Sequence, residues 1–341
     1  MKILFISKHY LPHIGGVEKH VQKISLKLKS RKLKVVVVCE RIRNTKSHEI
    51  LDGVEIFRIK YPKIKALGLL TIWWWLWKHR NLLINSNIIH CHDVFIWYLP
   101  FRFIFIDKSV YTTFHGWEGV FPISYKHKLI RQISAKLSWG NICVGKYIEK
   151  WYGIKASYIT YGAVDNLSSI NSHLSFNRKG FKILYLGRLD EDTGMEIYLD
   201  AFRIIKLKYP NVEFEFLGDG EFRVEAESVG RVLGFRKDIT LYLKDCTFVC
   251  TSGYLSMLES LNLGKLVFAV SNNPIKLDVI EMSPFKKYVE HSKNANELAR
   301  KIDYFLTNPK KANTIISNSR TWTALQTWDN LVKVYQKLWG I

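Results

Sequence analysis

The 341-residue chain is short of several things, and each shortage removes a class of protein. Its five cysteines, at 39, 91, 143, 246 and 250, form no Cys-x-x-Cys pair and no Cys/His cluster at zinc spacing. That argues against a disulfide scaffold or a zinc module and for a reduced cytoplasmic setting. The longest apolar run, Ala66–Trp77, has 12 residues. A helix that spans a bilayer needs about 20. No cleavage-type sequence follows the first apolar stretch, so a secretory leader is not expected. The first turn lacks Gly-x-Gly-x-x-Gly, which argues against a nicotinamide-dependent sugar-nucleotide enzyme. Acidic residues are scarce, above all in one half. Residues 1–165 carry 27 Lys+Arg and 10 Asp+Glu, a balance of +17, and the remainder carries 24 and 20, a balance of +4. A basic half of this kind suits an anionic partner: a membrane surface, nucleic acid or a phosphorylated substrate. Nucleic acid rests on charge alone, and no nucleic-acid partner is expected.

What is present begins the same way twice. Residues 2–7 (Lys-Ile-Leu-Phe-Ile-Ser) and 182–187 (Lys-Ile-Leu-Tyr-Leu-Gly) are short apolar runs, each leading through a turn to a helical pattern. Such runs fit strands buried on both faces of a parallel sheet. Strands are expected at 3–7, 35–39, 54–60, 88–91, 109–114, 142–144 and 158–160, with helices from Gly16 or Val17 to Lys32 and over 67–83. The aromatic run 95–106 is expected to be a core helix. A polar stretch at 166–181 reads as a linker. Alternation resumes with strands at 182–186, 213–217, 239–241, 247–250 and 266–270. Helices are expected at 194–208, 221–232, 254–263, 295–306 and 309–319, and a last amphipathic one at 322–339. The sum is an α/β chain of two doubly wound, Rossmann-like domains facing a central cleft: 1–165, then 182–321, with the segment 322–341 packing back on the first.

Several strand ends carry groups suited to phosphate or sugar. Gly15 and Gly16 precede a helix, where backbone can approach a ligand and amide groups lack partners. Gly187-Arg188-Leu189 puts a guanidinium at a strand end, where it can neutralise a phosphate. Leu217-Gly218-Asp219-Gly220 is a tight turn in which Asp219 could cap the next helix. Thr251-Ser252-Gly253-Tyr254-Leu255-Ser256 opens a helix that carries Glu259, a carboxylate placed to accept from a ribose diol. His90 and His92 alternate beside Asp93, but no third ligand follows at convincing spacing, and no metal is expected.

In this order the pieces resemble the family-4 glycosyltransferases of the GT-B fold. The resemblance runs through residues 9–20, 88–93, 112–116, 161–165, 185–189, 217–220 and 258–265. It implies a retaining, metal-independent hexosyltransferase with no cofactor. Such an enzyme would move a sugar from a nucleotide-diphosphate donor to a saccharide or polyprenyl-linked acceptor, in glycan or cell-envelope biosynthesis. It also implies roles. Gly15 and Gly16 line the site near the donor diphosphate and the acceptor, and His115 lies near the reacting sugar. Arg188, beside Gly187, stabilises the departing diphosphate. Gly253, Tyr254, Leu255 and Ser256 offer backbone amides to the donor, and Glu259 binds the ribose. Two departures stand out. The family usually has a lysine where this chain has Thr193, and the first of its two paired glutamates is missing. An ungapped match puts Thr251 there; a match on Ser252 needs a shortened loop. These losses motivate the rival reading, a nucleotide-sugar-binding pseudo-glycosyltransferase acting as a membrane-surface scaffold.

Trp73, Trp74, Trp75 and Trp77 lie between basic segments that include Lys60, Lys63 and Lys65 on one side and Lys78, His79 and Arg80 on the other. Tryptophan and basic residues favour the membrane interface. An anionic bilayer is therefore an expected partner, at the inner face of the cell membrane.

Overall fold

The computed structural model describes residues 1–165 and 180–341, so most of the expected linker lies outside the described residues. The chain forms two compact units. The first comprises 1–118, 122–160 and 328–341; the second comprises 119–121 and 161–327.

In the first unit the order is β1 (Lys2–Ser7), α1 (Gly16–Ser30), β2 (Lys34–Glu40), β3 (His48–Leu51), β4 (Val54–Ile59), α2 (Lys65–Lys78) and α3 (Asn81–Ile84). It continues with β5 (Ile88–His92), α4 (Phe95–Ile104), β6 (Ser109–Phe114), α5 (Tyr125–Leu137), β7 (Gly140–Val144), α6 (Tyr147–Tyr152) and β8 (Tyr158–Thr160). The sheet order is β3-β4-β2-β1-β5-β6-β7-β8, parallel except for β3, which runs against β4. In β1, Ile3 to Ile6 are fully buried, as a strand covered on both faces requires.

The second unit contains β9 (Lys182–Leu186), α7 (Met195–Lys208), β10 (Glu213–Leu217), α8 (Arg223–Val229), β11 (Arg231–Val232), α9 (Thr240–Asp245) and β12 (Phe248–Thr251). Then come α10 (Tyr254–Asn262), β13 (Leu266–Val270), α11 (Pro274–Glu281), β14 (Val289–Ser292), α12 (Ala295–Thr307) and α13 (Pro309–Thr323). Its sheet is parallel throughout, in the order β11-β10-β9-β12-β13-β14. An aromatic core fills one face, where Phe202 stacks on Phe214 at 4.5 Å and Phe248 meets Phe268 edge-on at 5.3 Å. The last helix, α14 (Trp328–Trp339), belongs to the first unit and packs on α1, with Lys27 Nζ 2.6 Å from Asp329 Oδ2.

In each sheet the chain reverses its winding direction once, between β1 and β5 and between β9 and β12. In open parallel sheets ligands bind beyond the carboxyl ends of the strands at such a switch point. The residues that follow β1, β5, β9 and β12 are therefore the ones that matter.

Several expected elements differ. The helix expected at 67–83 is two helices, because His79 ends α2: its Nδ1 lies 2.9 Å from the Trp75 carbonyl oxygen, and its ring stacks on Trp75 at 3.8 Å. The strand expected at 239–241 is the start of α9, where the Asp238 carboxylate accepts from the Thr240 N–H at 2.9 Å. The helix expected at 221–232 stops at Val229, since Gly230 packs against the Phe214 carbonyl and turns the chain into β11. Trp322 is not on the last helix. It ends α13 beside Phe285 and Tyr288, and the chain turns at 324–327 before α14.

Candidate active site

In the first unit, four histidines gather at the carboxyl ends of β5 and β6: His90 and His92 on β5, His115 just after β6, and His20 on α1. His92 Nδ1 lies 2.9 Å from His115 Nε2, and the His20 ring from α1 meets His115 edge-on at 4.6 Å. Asp93, at a φ of 61°, holds the backbone of His115 by accepting its N–H at 2.9 Å. Asx residues tolerate that left-handed conformation better than others.

A second chain of bonds runs behind the four imidazoles. The Trp339 indole can only donate, and it lies 3.0 Å from His90 Nδ1. His90 therefore carries its proton on Nε2 and donates to Thr113 Oγ1 at 2.7 Å. The Tyr335 hydroxyl joins Thr113 at 3.0 Å to His20 Nε2 at 2.8 Å. Burial holds His20, His90 and His92 far below the usual imidazole range, and it pushes His115 down to about 3, with help from Arg131. The cluster is thus uncharged at neutral pH and can exchange hydrogen bonds with neutral hydroxyls. Asp93 keeps an edge in solvent, while crowding by protein on its other sides raises its carboxyl to about 6. Arg131 bonds Glu118 through Nε at 3.1 Å and Nη2 at 3.0 Å and lies 4.0 Å over the Tyr152 ring.

The glycine pair is not symmetric. Gly15 is the N-cap of α1 in an extended conformation, and the Glu18 carboxylate, held by His13 at 2.9 Å, fills the space a side chain at 15 would need. At Gly16 nothing lies within 4 Å of where a Cβ would be, so the backbone there is open. The protein's own carboxylate thus sits at the positive end of α1, where the sequence suggested an outside anion.

In the second unit, two glycine turns interlock. Gly187 has a φ of 150°, and a Cβ on Gly218 would overlap its carbonyl. Backbone bonds from Gly187 to Leu217 (3.2 Å) and from Leu189 to Asp219 (3.1 Å) join the two turns. Asp219 does not cap a helix; it accepts from Arg223 at 2.8 Å. Arg188 is thereby carried out of the sheet. Its Nη1 bonds Asp190, and its Nη2 reaches both oxygens of Asp192 at 2.9 and 2.7 Å. These two aspartates were not among the expected site residues.

Thr193 is buried, its hydroxyl donating to the Asp190 carbonyl at 2.6 Å. Thr251 is likewise turned inward, to the Leu186 carbonyl at 2.6 Å and Ser256 Oγ at 2.5 Å. Ser252 shares the Tyr185 hydroxyl. None of the three stands in for a missing charge. At the start of α10, Gly253 is the N-cap, while the Tyr254 hydroxyl donates to the Val279 carbonyl at 2.6 Å and its ring packs on Phe285. Leu255, Ser256 and Glu259 are half-buried on the same helix. The Tyr254 side chain is thus committed to the protein. Among the described residues no group of three His, Cys, Asp or Glu could hold a metal ion.

Two family models match this chain: Glycosyltransferase Family 4 over residues 14–157 and Glycosyl transferases group 1 over residues 169–322. The chain belongs to the family-4 glycosyltransferases of the GT-B fold. An uncharacterized glycosyltransferase of Methanocaldococcus jannaschii is 21% identical over 361 residues, covering 99% of each chain. Anabaena HepE, solved in complex with UDP and glucose, aligns over 100% of each chain at 18% identity with a TM-score of 0.77. Sucrose-phosphate synthase from Thermosynechococcus elongatus aligns over 99% of each chain at 15% identity, also with a TM-score of 0.77.

The glycosyltransferase's tryptophan helix, α2, is divided by face. Trp73 donates to the Ile96 carbonyl at 3.0 Å, Trp75 stacks on His79, and Ile72 and Leu76 are buried. Leu67, Leu70, Trp74 and Trp77, spaced three and four apart, are exposed. Lys78 lies 3.8 Å over the Trp74 ring and Arg80 lies 5.3 Å over that of Trp77. The run 95–106, expected to be a core helix, buries Phe95, Trp97, Tyr98 and Phe101 on α4 but exposes Phe103, Ile104 and Ile106 at and just past its end. No helix among the described residues is long and apolar enough to cross a membrane.

Proposed function

We propose that this glycosyltransferase moves a hexose from a nucleotide-diphosphate donor to a saccharide or polyprenyl-linked acceptor, with retention at the anomeric carbon and no essential metal or cofactor. One observation carries the reading. The Arg188 fork stands at the switch point of the second sheet, on the strand next to the one that leads into α10 at Gly253. A guanidinium and the positive end of a helix together suit the two phosphates of a leaving group.

In the proposed reaction the bond from the sugar C1 to the diphosphate oxygen breaks, and the acceptor oxygen bonds to C1 on the same face. The acceptor proton passes to the departing phosphate, so no protein base is required. Arg188 stabilises the charge that develops on the diphosphate, an electrostatic role worth about 10²–10³ in rate for one such donor. To reach phosphate it exchanges Asp190 and Asp192 for the ligand. Glu259 takes the ribose, and the backbone of residues 253–256 takes phosphate or sugar. In the first unit, uncharged His115 bonds a sugar hydroxyl, and the open backbone at Gly16 admits the acceptor.

The exposed face of α2, with its aromatic and cationic side chains, supports docking on an anionic bilayer from the cytoplasmic side. That would bring a polyprenyl-linked acceptor to the enzyme in glycan or cell-envelope assembly.

A thermal-shift screen of nucleotide sugars tests the donor, starting with UDP-sugars because the similar Anabaena protein holds UDP and glucose. Transfer assays with and without EDTA follow, with the product's anomeric configuration read by NMR. Inversion at C1, or loss of transfer in EDTA, would correct the mechanism. Nucleotide binding without donor consumption on any saccharide or lipid-linked acceptor would favour the scaffold reading.

A further inference from the structure

The donor site as described has one cation, Arg188, already matched by two carboxylates. A second lies 88 positions along the chain, where sequence proximity gives no hint of it. β13 stands next to β12 in the sheet, and the turn after β13 meets the Arg188 turn directly: Asn272 Nδ2 donates to the Glu191 carbonyl at 2.9 Å. Asn273 then caps α11, its side-chain oxygen accepting from the Lys276 N–H at 3.0 Å. That cap fixes Lys276 in the first turn of α11. Its side chain is only 7% exposed, and it interacts with both the Asp192 carboxylate and the Arg188 guanidinium.

A lysine held here is costly, and Asp192 offsets part of that cost. The ammonium is out of water, near a second cation, at the end of a helix that carries about half a positive charge. Asp192, the carboxylate it interacts with, is also held bidentately by Arg188. Burial accordingly lowers the ammonium to about 8, still charged at neutral pH. Its four methylenes would let a surface lysine swing its charge into water, but this one stays in.

We propose that Lys276 and Arg188 together form a two-cation seat for the donor diphosphate, Arg188 as a planar fork and Lys276 as a point charge. Thr193, turned inward, contributes no charge there. The proposal rests on the donor reading above and adds a residue to it. The two cations serve differently: Arg188 is exposed enough to follow the phosphates as they leave, whereas Lys276 is fixed by the helix cap and sets where they sit.

The test uses the full-length protein with UDP, ADP, GDP and dTDP, and with the nucleoside of whichever binds most tightly. Lys276→Met keeps the length of the side chain and removes its charge. It should weaken nucleoside diphosphate binding by about 10–100-fold, the range for a charge-assisted bond, with the nucleoside unaffected. In transfer assays the loss should fall mainly on KM for the donor. Lys276→Arg should recover most of the affinity. Without ligand, Lys276→Met should melt no lower than the unaltered protein, because a buried charge has been removed. Affinity of the unaltered protein should also decline above about pH 8 as the ammonium deprotonates, a decline absent in Lys276→Met.

Unchanged diphosphate affinity in Lys276→Met overturns the proposal while leaving the donor reading intact. So does a parallel loss of nucleoside binding and melting temperature, which would mark a structural role. Failure of the unaltered protein to bind any of the four nucleotides overturns the donor reading itself.

Discussion

The two units begin with nearly the same strand and use it differently. In the first, the switch point holds imidazoles kept neutral by burial, inside a half with a balance of +17. In the second, a half with a balance of only +4, the switch point holds opposite charges: Arg188 bonds Asp190 and Asp192, and Lys276 is near enough to feel Asp192 and Arg188. A parallel sheet supplies the location in both cases, but side chains decide what can bind there. Neutral donors and acceptors suit sugar hydroxyls, whereas paired charges held ready for exchange suit a diphosphate. In the first unit the surplus charge lies elsewhere, some of it over the exposed tryptophans of α2.

The most severe way to break this contrast is Arg188→Ala. We expect transfer to fall by about 10²–10³-fold or more, with little change in melting temperature, since the residue is more than half exposed. Near-normal turnover in that variant would remove the second unit's charge from the mechanism.

Next in size is the exposed face of α2, proposed above to dock on a bilayer. Trp74→Ala with Trp77→Ala should reduce flotation with anionic liposomes by roughly tenfold or more, given the apolar area the two rings would bury. Trp73→Phe with Trp75→Phe changes only the inward pair and should leave flotation nearly intact. Equal flotation of all variants would reject α2 as the anchor.

The third expectation concerns pH. Imidazoles held neutral in the fold have a folded pKa below their unfolded value of about 6.5, so unfolding takes up protons. Their contribution is complete above pH 6.5 and is lost as pH falls below it. Asp93 shifts the opposite way: raised to about 6, its charged form costs stability above that pH and is relieved below it. Four histidines against one aspartate make the net effect acid lability of the first unit. Ten of the eleven tryptophans lie in that unit, so intrinsic fluorescence reports almost entirely on it. Its melting temperature should drop by several degrees between pH 7.5 and 5, and a flat profile would show that the cluster is not held neutral.

The smallest effect separates scaffold from site within the second unit. Tyr254→Phe removes the bond to Val279 and should cost about 1 kcal/mol of stability, measured by chemical denaturation, while nucleotide affinity stays the same. A matching loss of affinity would return the Tyr254 side chain to the donor site.

Much of this was legible in the residues alone. The buried strands announced themselves as apolar runs, because a strand covered on both faces has no polar positions to alternate. The glycine turns at 187, 218 and 220 were visible because close backbone approach excludes a Cβ. Short elements such as β3, β11 and α11 were not seen, since so few residues show no period. Tertiary structure alone decided which tryptophans face outward, that Thr193 and Thr251 turn inward, and that Tyr254 is held by α11. It also brought His20 to His115 and Lys276 to Arg188. The physical reason is the same in each case. Local sequence sets the backbone's preferences and the pattern of burial, but charge, tautomer and hydrogen-bond partner depend on neighbours that only the winding of the sheet supplies.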